Sequence, residues 1–244
     1  MWLQVGPDRM RPWVTSDMTL TIRRSKRRTV GFVVRGSEVT VTAPNRMSKK
    51  VLLQIIDKKR RWILEKVHFN THVRKAAPRR SYVTGEQVAY LGRNYRLEVL
   101  DSQDDVVRLK AGRLLVPAPT SLSASRRSLL VRQRLVNWYK DKCAAHVLAH
   151  VQHLSPKLGA EPSRIEIRDY KSRWGTCNRH GVVRINWRLI VAPSSILEYV
   201  VAHEVCHLVH LNHSPDFWAL LRTLIPSPKQ FRDWLKVHGD TLAV

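Results

Sequence analysis

The stretch Val201-Ala-His-Glu-Val-Cys-His-Leu-Val-His-Leu-Asn-His213 decides the fold and contains the residues with the clearest chemistry. In a helix, His203 and His207 lie one turn apart on the same face, so their two imidazoles can bind one metal ion. Glu204 projects about 100° further round the helix than His203, within reach of a water on that ion. A histidine just beyond the helix would complete three ligands and leave one position open. The pattern therefore predicts a metal-dependent hydrolase that uses zinc.

Two histidines compete for the third ligand position. His210 shares the face of His203 and His207, but on a straight helix its Cα lies about 10.5 Å along the axis from that of His203. Ligand nitrogens lie only about 2.0–2.1 Å from zinc, so convergence of these three rings would be strained. His213 falls at a junction between two helices, from which its side chain can turn back. The spacing therefore favours His213 as the ligand and gives His210 a supporting or structural role.

The flanks of this stretch predict one buried helix that begins after Pro193 and ends near Asn212. Apolar residues recur at helical spacing on both sides of the two histidines, and Asn can adopt the left-handed conformation that ends a helix. Ser214, Pro215 and Asp216 then have the order of an N-cap, a first-turn proline and an acid at the positive end of the next helix. An alternative role for Asp216 is to orient a ligand imidazole.

Charge and cysteine content limit the partners and the compartment. The 244 residues include 43 Lys+Arg and 19 Asp+Glu, a formal net charge of +24. Such a field attracts nucleic acid, phosphorylated substrates or acidic surfaces, although a solvated basic face gives the same composition. Three widely spaced cysteines form no disulfide framework, which favours a reducing, cytoplasmic location. Because the N-terminal residues lack a signal-peptide pattern and no apolar run approaches membrane-spanning length, no membrane partner is expected.

Strand and helix patterns divide the chain into a β-rich region, 1–119, and a second region, 120–244. The first region contains short alternating runs typical of strands and one long helix predicted over 48–68. The second contains a long helix, two strands, the motif helix and two short helices. The fold expected from this order is α+β, with no evident internal repeat.

Three runs of residues resemble the YgjP-like (DUF45) metallopeptidase family, which is similar to SprT-like and WLM zinc-peptidase domains. They are Ile167-Arg-Asp-Tyr-Lys-Ser-Arg-Trp-Gly-Thr-Cys177, Arg184-Ile-Asn-Trp-Arg-Leu-Ile190 and Tyr199-Val-Val-Ala-His-Glu-Val-Cys-His-Leu-Val-His-Leu-Asn-His-Ser-Pro-Asp-Phe-Trp218. The resemblance implies that His203, His207 and His213 bind one zinc ion, or another divalent metal, and that Glu204 is the catalytic acid and base. It also implies a zincin-like helix–strand–strand–helix domain packed with the β-rich N-terminal part.

The residues and the resemblance together predict that a water deprotonated by Glu204 hydrolyses a peptide bond in a peptide or protein substrate. Tyr199 and Arg173 are candidates to stabilise the oxyanion, and the strand predicted over 182–190 is a candidate to pair with an extended substrate. Two alternatives stay open. One is hydrolysis of nucleotides or other phosphate compounds at the same metal site. The other is a nucleic-acid-associated peptidase or binding module that uses basic segments such as 23–28 and 58–61. The sequence indicates no oligomeric state.

Overall fold

Contacts in the computed structural model, which describes residues 3–4, 18–73 and 80–242, divide the chain into units 1–76 and 77–244. The sequence predicts the boundary after residue 119 instead. The difference arises because Leu97 and Leu114, from the strands that precede residue 119, share one hydrophobic core with Val131 and Leu135 of the helix that follows it. Both units contain strands as well as helices, which confirms the α+β class.

The first unit is a sheet covered by two helices. Its strands are β1 (Leu3–Gln4), β2 (Thr19–Ser25), β3 (Gly31–Arg35) and β4 (Glu38–Pro44), in the order β1-β2-β4-β3, with β2 and β4 parallel. Alternate residues of β4 point to one face, and there they bury against α1 (Lys49–Lys58) and α2 (Arg60–His68). The Ser48 side chain caps α1, and the single helix predicted over 48–68 is broken at Lys59, where φ is −93° and ψ is 1°.

A second sheet and the longest helix begin the second unit. The strands are β5 (Gln87–Tyr90), β6 (Arg93–Leu100), β7 (Arg108–Lys110) and β8 (Arg113–Pro117), in the order β5-β6-β8-β7. The next helix, α3 (Ala124–Leu158), packs through a stripe of buried residues at helical spacing, which includes Leu135, Tyr139 and Cys143. No helix in the described residues combines the length and the apolar character that crossing a membrane requires.

The two four-stranded sheets have the same topology, so the chain contains an internal repeat that its sequence does not make evident. In the first sheet β2 is parallel to β4 and β3 is antiparallel to β4; in the second sheet β6 is parallel to β8 and β7 is antiparallel to β8. A serine at the N-cap of the next helix follows in both copies, Ser48 in one and Ser123 in the other. The copies share a pattern of buried positions more than residue identities: Val39, Val41 and Ala43 match Leu114, Val116 and Ala118.

A three-stranded sheet and three helices complete the second unit. The strands β9 (Arg164–Arg168), β10 (Gly175–Cys177) and β11 (Val182–Asn186) lie in the order β10-β11-β9, and α4 (Ser194–Cys206), α5 (Pro215–Leu224) and α6 (Pro228–His238) follow. The strand β10 is a third strand in a region for which the sequence predicts two. The strand predicted over 182–190 ends at Asn186, because the Asn186 side chain accepts the Arg188 N–H and starts a 3₁₀ turn, Trp187–Val191.

The turn between β5 and β6 fixes the start of α4. The Leu91 and Gly92 amides donate to the carbonyls of Ile190 and Val191 just before that helix. Gly92 has φ +75°, and a Cβ at this position would lie 2.9 Å from the Pro193 Cα. Only glycine therefore permits both the left-handed turn and this close approach.

Candidate metal centre

The helix α4 supplies two of the three predicted metal ligands. It is buried on nearly all sides, and it ends at Cys206, earlier than the predicted end near Asn212. His207 is its C-cap residue, with φ −70° and ψ −10°, and the following amides donate to carbonyls of the last turn. This tight turn reverses the chain before α5, which is how His213 returns to the side of His203.

Three imidazole rings converge at this reversal. The candidate ligand atoms of His203, His207 and His213 all lie within 4.8 Å of one another, and the Nε2 atoms of His203 and His213 are 3.0 Å apart. Burial and the neighbouring imidazoles lower the pKa of His203 to about 3, and burial lowers the pKa of His207. Both rings are therefore neutral near pH 7, with lone pairs available for a cation.

His210 acts on the site through its backbone. Its carbonyl oxygen lies 2.9 Å from His207 Nδ1, so it accepts the proton of that nitrogen and leaves Nε2 free. Its own imidazole is not part of the group of three. The geometry thus places the His213 ring, and not the His210 ring, with His203 and His207.

Glu204 is a buried carboxyl group beside the imidazoles. It is 7% exposed, and burial raises its pKa to about 8, while a hydrogen bond from the Cys177 backbone N–H acts in the opposite direction. The donor belongs to β10, the strand that the sequence did not predict. The side chain of Glu204 is therefore positioned by both α4 and the edge strand β10.

The contact between β10 and Glu204 requires a glycine at residue 175. A Cβ on Gly175 would lie 2.6 Å from both Cγ and Oε1 of Glu204, closer than non-bonded atoms approach. The restriction comes from space rather than from backbone conformation, because Gly175 is absent from the glycines with positive φ in the described residues. Trp174, next to it, is fixed by Asn186, whose backbone N–H donates to the Trp174 carbonyl at 2.8 Å.

We expect Gly175→Ala to destabilise the protein by about 1–3 kcal/mol, because an extra methyl group in a filled site forces its neighbours to move. Chemical denaturation measures this change, and a double-mutant cycle with Glu204→Ala assigns its cause. In the Glu204→Ala background the methyl group has room, so the cost of Gly175→Ala should largely disappear. An equal cost in both backgrounds would show that the contact with Glu204 is not responsible.

A cleft of about 380 Å³ opens beside Glu204 and His203. Tyr199 lines it, and burial raises the pKa of the phenol, which therefore remains a hydrogen-bond donor. Arg232 of α6 lines the same cleft, and its guanidinium lies 5.5 Å from the centre of the Trp218 ring. The sequence gives no signal for Arg232, because its position in the cleft depends on how α6 packs against α4, where Phe231 stacks on Tyr199.

Two other predicted site residues lie elsewhere. Arg173 is exposed and lies over the Tyr170 ring, outside the lining of the cleft. The Asn186 side-chain amide donates to the carbonyls of residues 170 and 173 and so fixes the backbone of this loop. Asp216 is exposed in the first turn of α5. That position fits the helix-dipole role.

The donor set fits a divalent metal ion. Three imidazole ligands with one position left open are typical of catalytic zinc sites, and imidazole also suits copper, iron and nickel. The hydrogen bond that fixes the His207 tautomer supports this fit, because metal-binding histidines commonly donate their second nitrogen to a carbonyl or carboxylate. The buried Glu204 carboxyl lines the same cleft as His203 and is the further group that metal-assisted hydrolysis requires.

Comparison with known proteins agrees with this geometry. No curated protein matches the sequence. Among solved structures, the metallopeptidase zymogen abylysin of Pyrococcus abyssi has 21% sequence identity and a TM-score of 0.34, over 36% of this chain and 90% of its own. That similarity is too low to support an argument. A family model for the YgjP-like metallopeptidase domain, however, matches residues 28–238. The chain therefore belongs to the YgjP-like metallopeptidase family.

Proposed function

We propose that the protein is a zinc-dependent peptidase in which His203, His207 and His213 hold the ion and Glu204 is the general base. The observation that supports this most strongly is the convergence of the three imidazoles, with ligand atoms within 4.8 Å, beside a buried carboxyl group. Burial of a carboxyl group is costly, and a carboxyl group in a cleft whose pKa is strongly raised by burial is a candidate for a functional site. Membership of a metallopeptidase family supports a peptide or protein as substrate.

The chemistry of this chain follows from the positions of its own groups. A bound divalent ion would lower the pKa of its water and polarise the substrate carbonyl. Glu204 then accepts a proton from the attacking water and returns it to the leaving nitrogen. This role needs an ionised carboxylate. Burial alone opposes ionisation, whereas a cation held by the adjacent imidazoles favours it.

Two donors in the cleft are suited to the charge that develops on the carbonyl oxygen. Tyr199 offers its phenol, as the sequence predicts, and Arg232 takes the part that the sequence assigned to Arg173. The Arg232 charge reaches the site, since it helps to lower the pKa of His203. Fixed donors in a site that excludes water stabilise an oxyanion more strongly than the same donors in water.

The edge strand β10 is the proposed partner of an extended substrate. The sequence assigned this part to the strand over 182–190, but β11 lies between β10 and β9, so its backbone groups are already paired. In contrast, β10 is at the edge of the sheet and contacts Glu204 through Gly175. A peptide added to this edge would therefore lie next to the general base.

The three cysteines support a reducing compartment. Cys143, Cys177 and Cys206 are all unpaired in the structure, and disulfides are rare in the cytosol. Burial raises the pKa of all three thiols, so they are poor nucleophiles near neutral pH. We therefore propose a cytoplasmic protein that works with its metal rather than with a thiol.

Metal removal tests the proposed function. We expect purified protein to contain one zinc ion per chain by elemental analysis, to lose cleavage of an unfolded protein after chelation, and to regain it with one equivalent of zinc. The same samples are assayed on nucleoside triphosphates, which tests the alternative substrate class. Metal-dependent release of phosphate without any peptide cleavage would reject the peptidase and favour phosphate-ester hydrolysis.

A further inference from the structure

The positive charge of the chain is concentrated in the first unit. Its described residues 18–73 contain 14 Lys+Arg and 3 Asp+Glu, whereas residues 80–242 contain 24 Lys+Arg and 14 Asp+Glu. The net charges are thus nearly equal, although the second range is about three times longer. A charge density this high within one small unit attracts polyanions.

The internal repeat shows that the fold does not require this charge. In the first copy, the end of β2 and the loop that follows have the sequence Arg23-Arg-Ser-Lys-Arg-Arg28, with five basic residues and no acid. In the second copy, the end of β6 and its loop read Leu100-Asp-Ser-Gln-Asp-Asp105, with three acids and no basic residue. The same connection in the same topology therefore tolerates either sign of charge.

One pair of positions shows how both signs satisfy the fold. The Arg24 guanidinium donates to the carbonyls of Pro44 and Met47, at 2.8 and 2.7 Å, and so links the end of β2 to the turn before α1. Asp101 accepts two hydrogen bonds from Thr120, both 2.8 Å, and links the end of β6 to the turn before α3. The same structural link is thus made by a basic side chain in the first copy and by an acidic one in the second.

The same contacts gather further basic residues beside the loop. The Asn45 amide donates to the Ser25 carbonyl at 3.0 Å, which places the turn before α1 against the segment 23–28. Arg46, Lys49 and Lys50 are exposed in and after this turn. We refer to residues 23–28 and 46–50 as the basic end of the first unit. Neither segment contains an acidic residue.

We propose that the basic end of the first unit binds the sugar-phosphate backbone of nucleic acid. Arginines predominate in it, and a guanidinium matches phosphate with two parallel hydrogen bonds. In the same unit, Trp62 follows the basic segment 58–61 and is 38% exposed. Its indole ring offers a surface on which a base can stack. A membrane is the less suitable partner, because the apolar faces of α1 and α2 are buried in the core of this unit through Leu52, Ile56 and Ile63.

The test uses the full chain and needs no peptidase activity, so it stands apart from the proposed function. Fluorescence anisotropy with labelled single-stranded and double-stranded DNA and RNA gives Kd over a range of salt concentrations. We expect binding that weakens steeply as salt rises, because phosphate contacts release counterions. In Arg27→Asp/Arg28→Asp we expect Kd to rise at least about tenfold and the salt slope to fall by about 2.

A charge-matched control separates a defined surface from general attraction. Arg96 and Lys110 are exposed residues of the second sheet. The variant Arg96→Asp/Lys110→Asp changes the net charge of the protein as much as Arg27→Asp/Arg28→Asp does, and it should leave Kd nearly unchanged. The neutral variant Arg27→Gln/Arg28→Gln should weaken binding less than the charge reversal does. Thermal melting of all variants checks that a loss of binding is not caused by unfolding. Equal losses in both charge-reversed variants, or tighter binding to polyglutamate or to phosphatidylserine vesicles than to nucleic acid, would overturn the proposal.

Discussion

Glu204→Gln is expected to abolish turnover and to leave one metal ion bound per chain. Glutamine has nearly the same volume as glutamate, so it fills the space against Gly175 and does not disturb the three imidazoles. It cannot accept a proton, however, and loss of a general base costs about 10²–10⁴ in rate. Steady-state cleavage of an unfolded protein, with elemental analysis of the same sample, measures both quantities.

The matched control for this variant is Glu198→Gln on the same helix. Glu198 is half-buried and does not line the cleft, and its charge acts on His150 instead. This variant should retain wild-type turnover and metal. If Glu204→Gln also retained wild-type turnover in pure enzyme, Glu204 would not be the base. If it lost the metal, its role would be in holding the site together.

The grouping of the three histidines could be predicted from the sequence because it depends on local geometry. Helical rise and rotation alone bring His203 and His207 together and make His210 a poor third ligand, and the group that converges in the structure contains His213. The end of α4 could not be located equally well. Apolar residues continue to Leu211, but the chain turns after Cys206, and the bond from His207 to the His210 carbonyl belongs to that turn.

The rest of the site depends on tertiary contacts that leave little local signal. The strand β10 has three residues, and its place is set by pairing with β11 and by contact with Glu204. Arg232 reaches the cleft because α6 packs on α4, where Phe231 stacks on Tyr199. The repeat was hidden for a similar reason, since the two copies share buried positions while their loops differ in charge.

His213→Ala is expected to remove the metal, whereas His210→Ala should retain it. Loss of an outer partner of a ligand typically weakens binding about 10–100-fold, and loss of a ligand itself should exceed that range. His213 is exposed, so its truncation leaves the core intact. His210 acts through its carbonyl, which alanine also has, so the bond from His207 Nδ1 and the tautomer it fixes survive the change.

Zinc competition titrations and elemental analysis after dialysis compare the two variants, with thermal melting of the metal-free proteins as the test of folding. If His210→Ala lost the ion and His213→Ala kept it, the turn after Cys206 would have to rearrange on metal binding, and the third ligand would be His210.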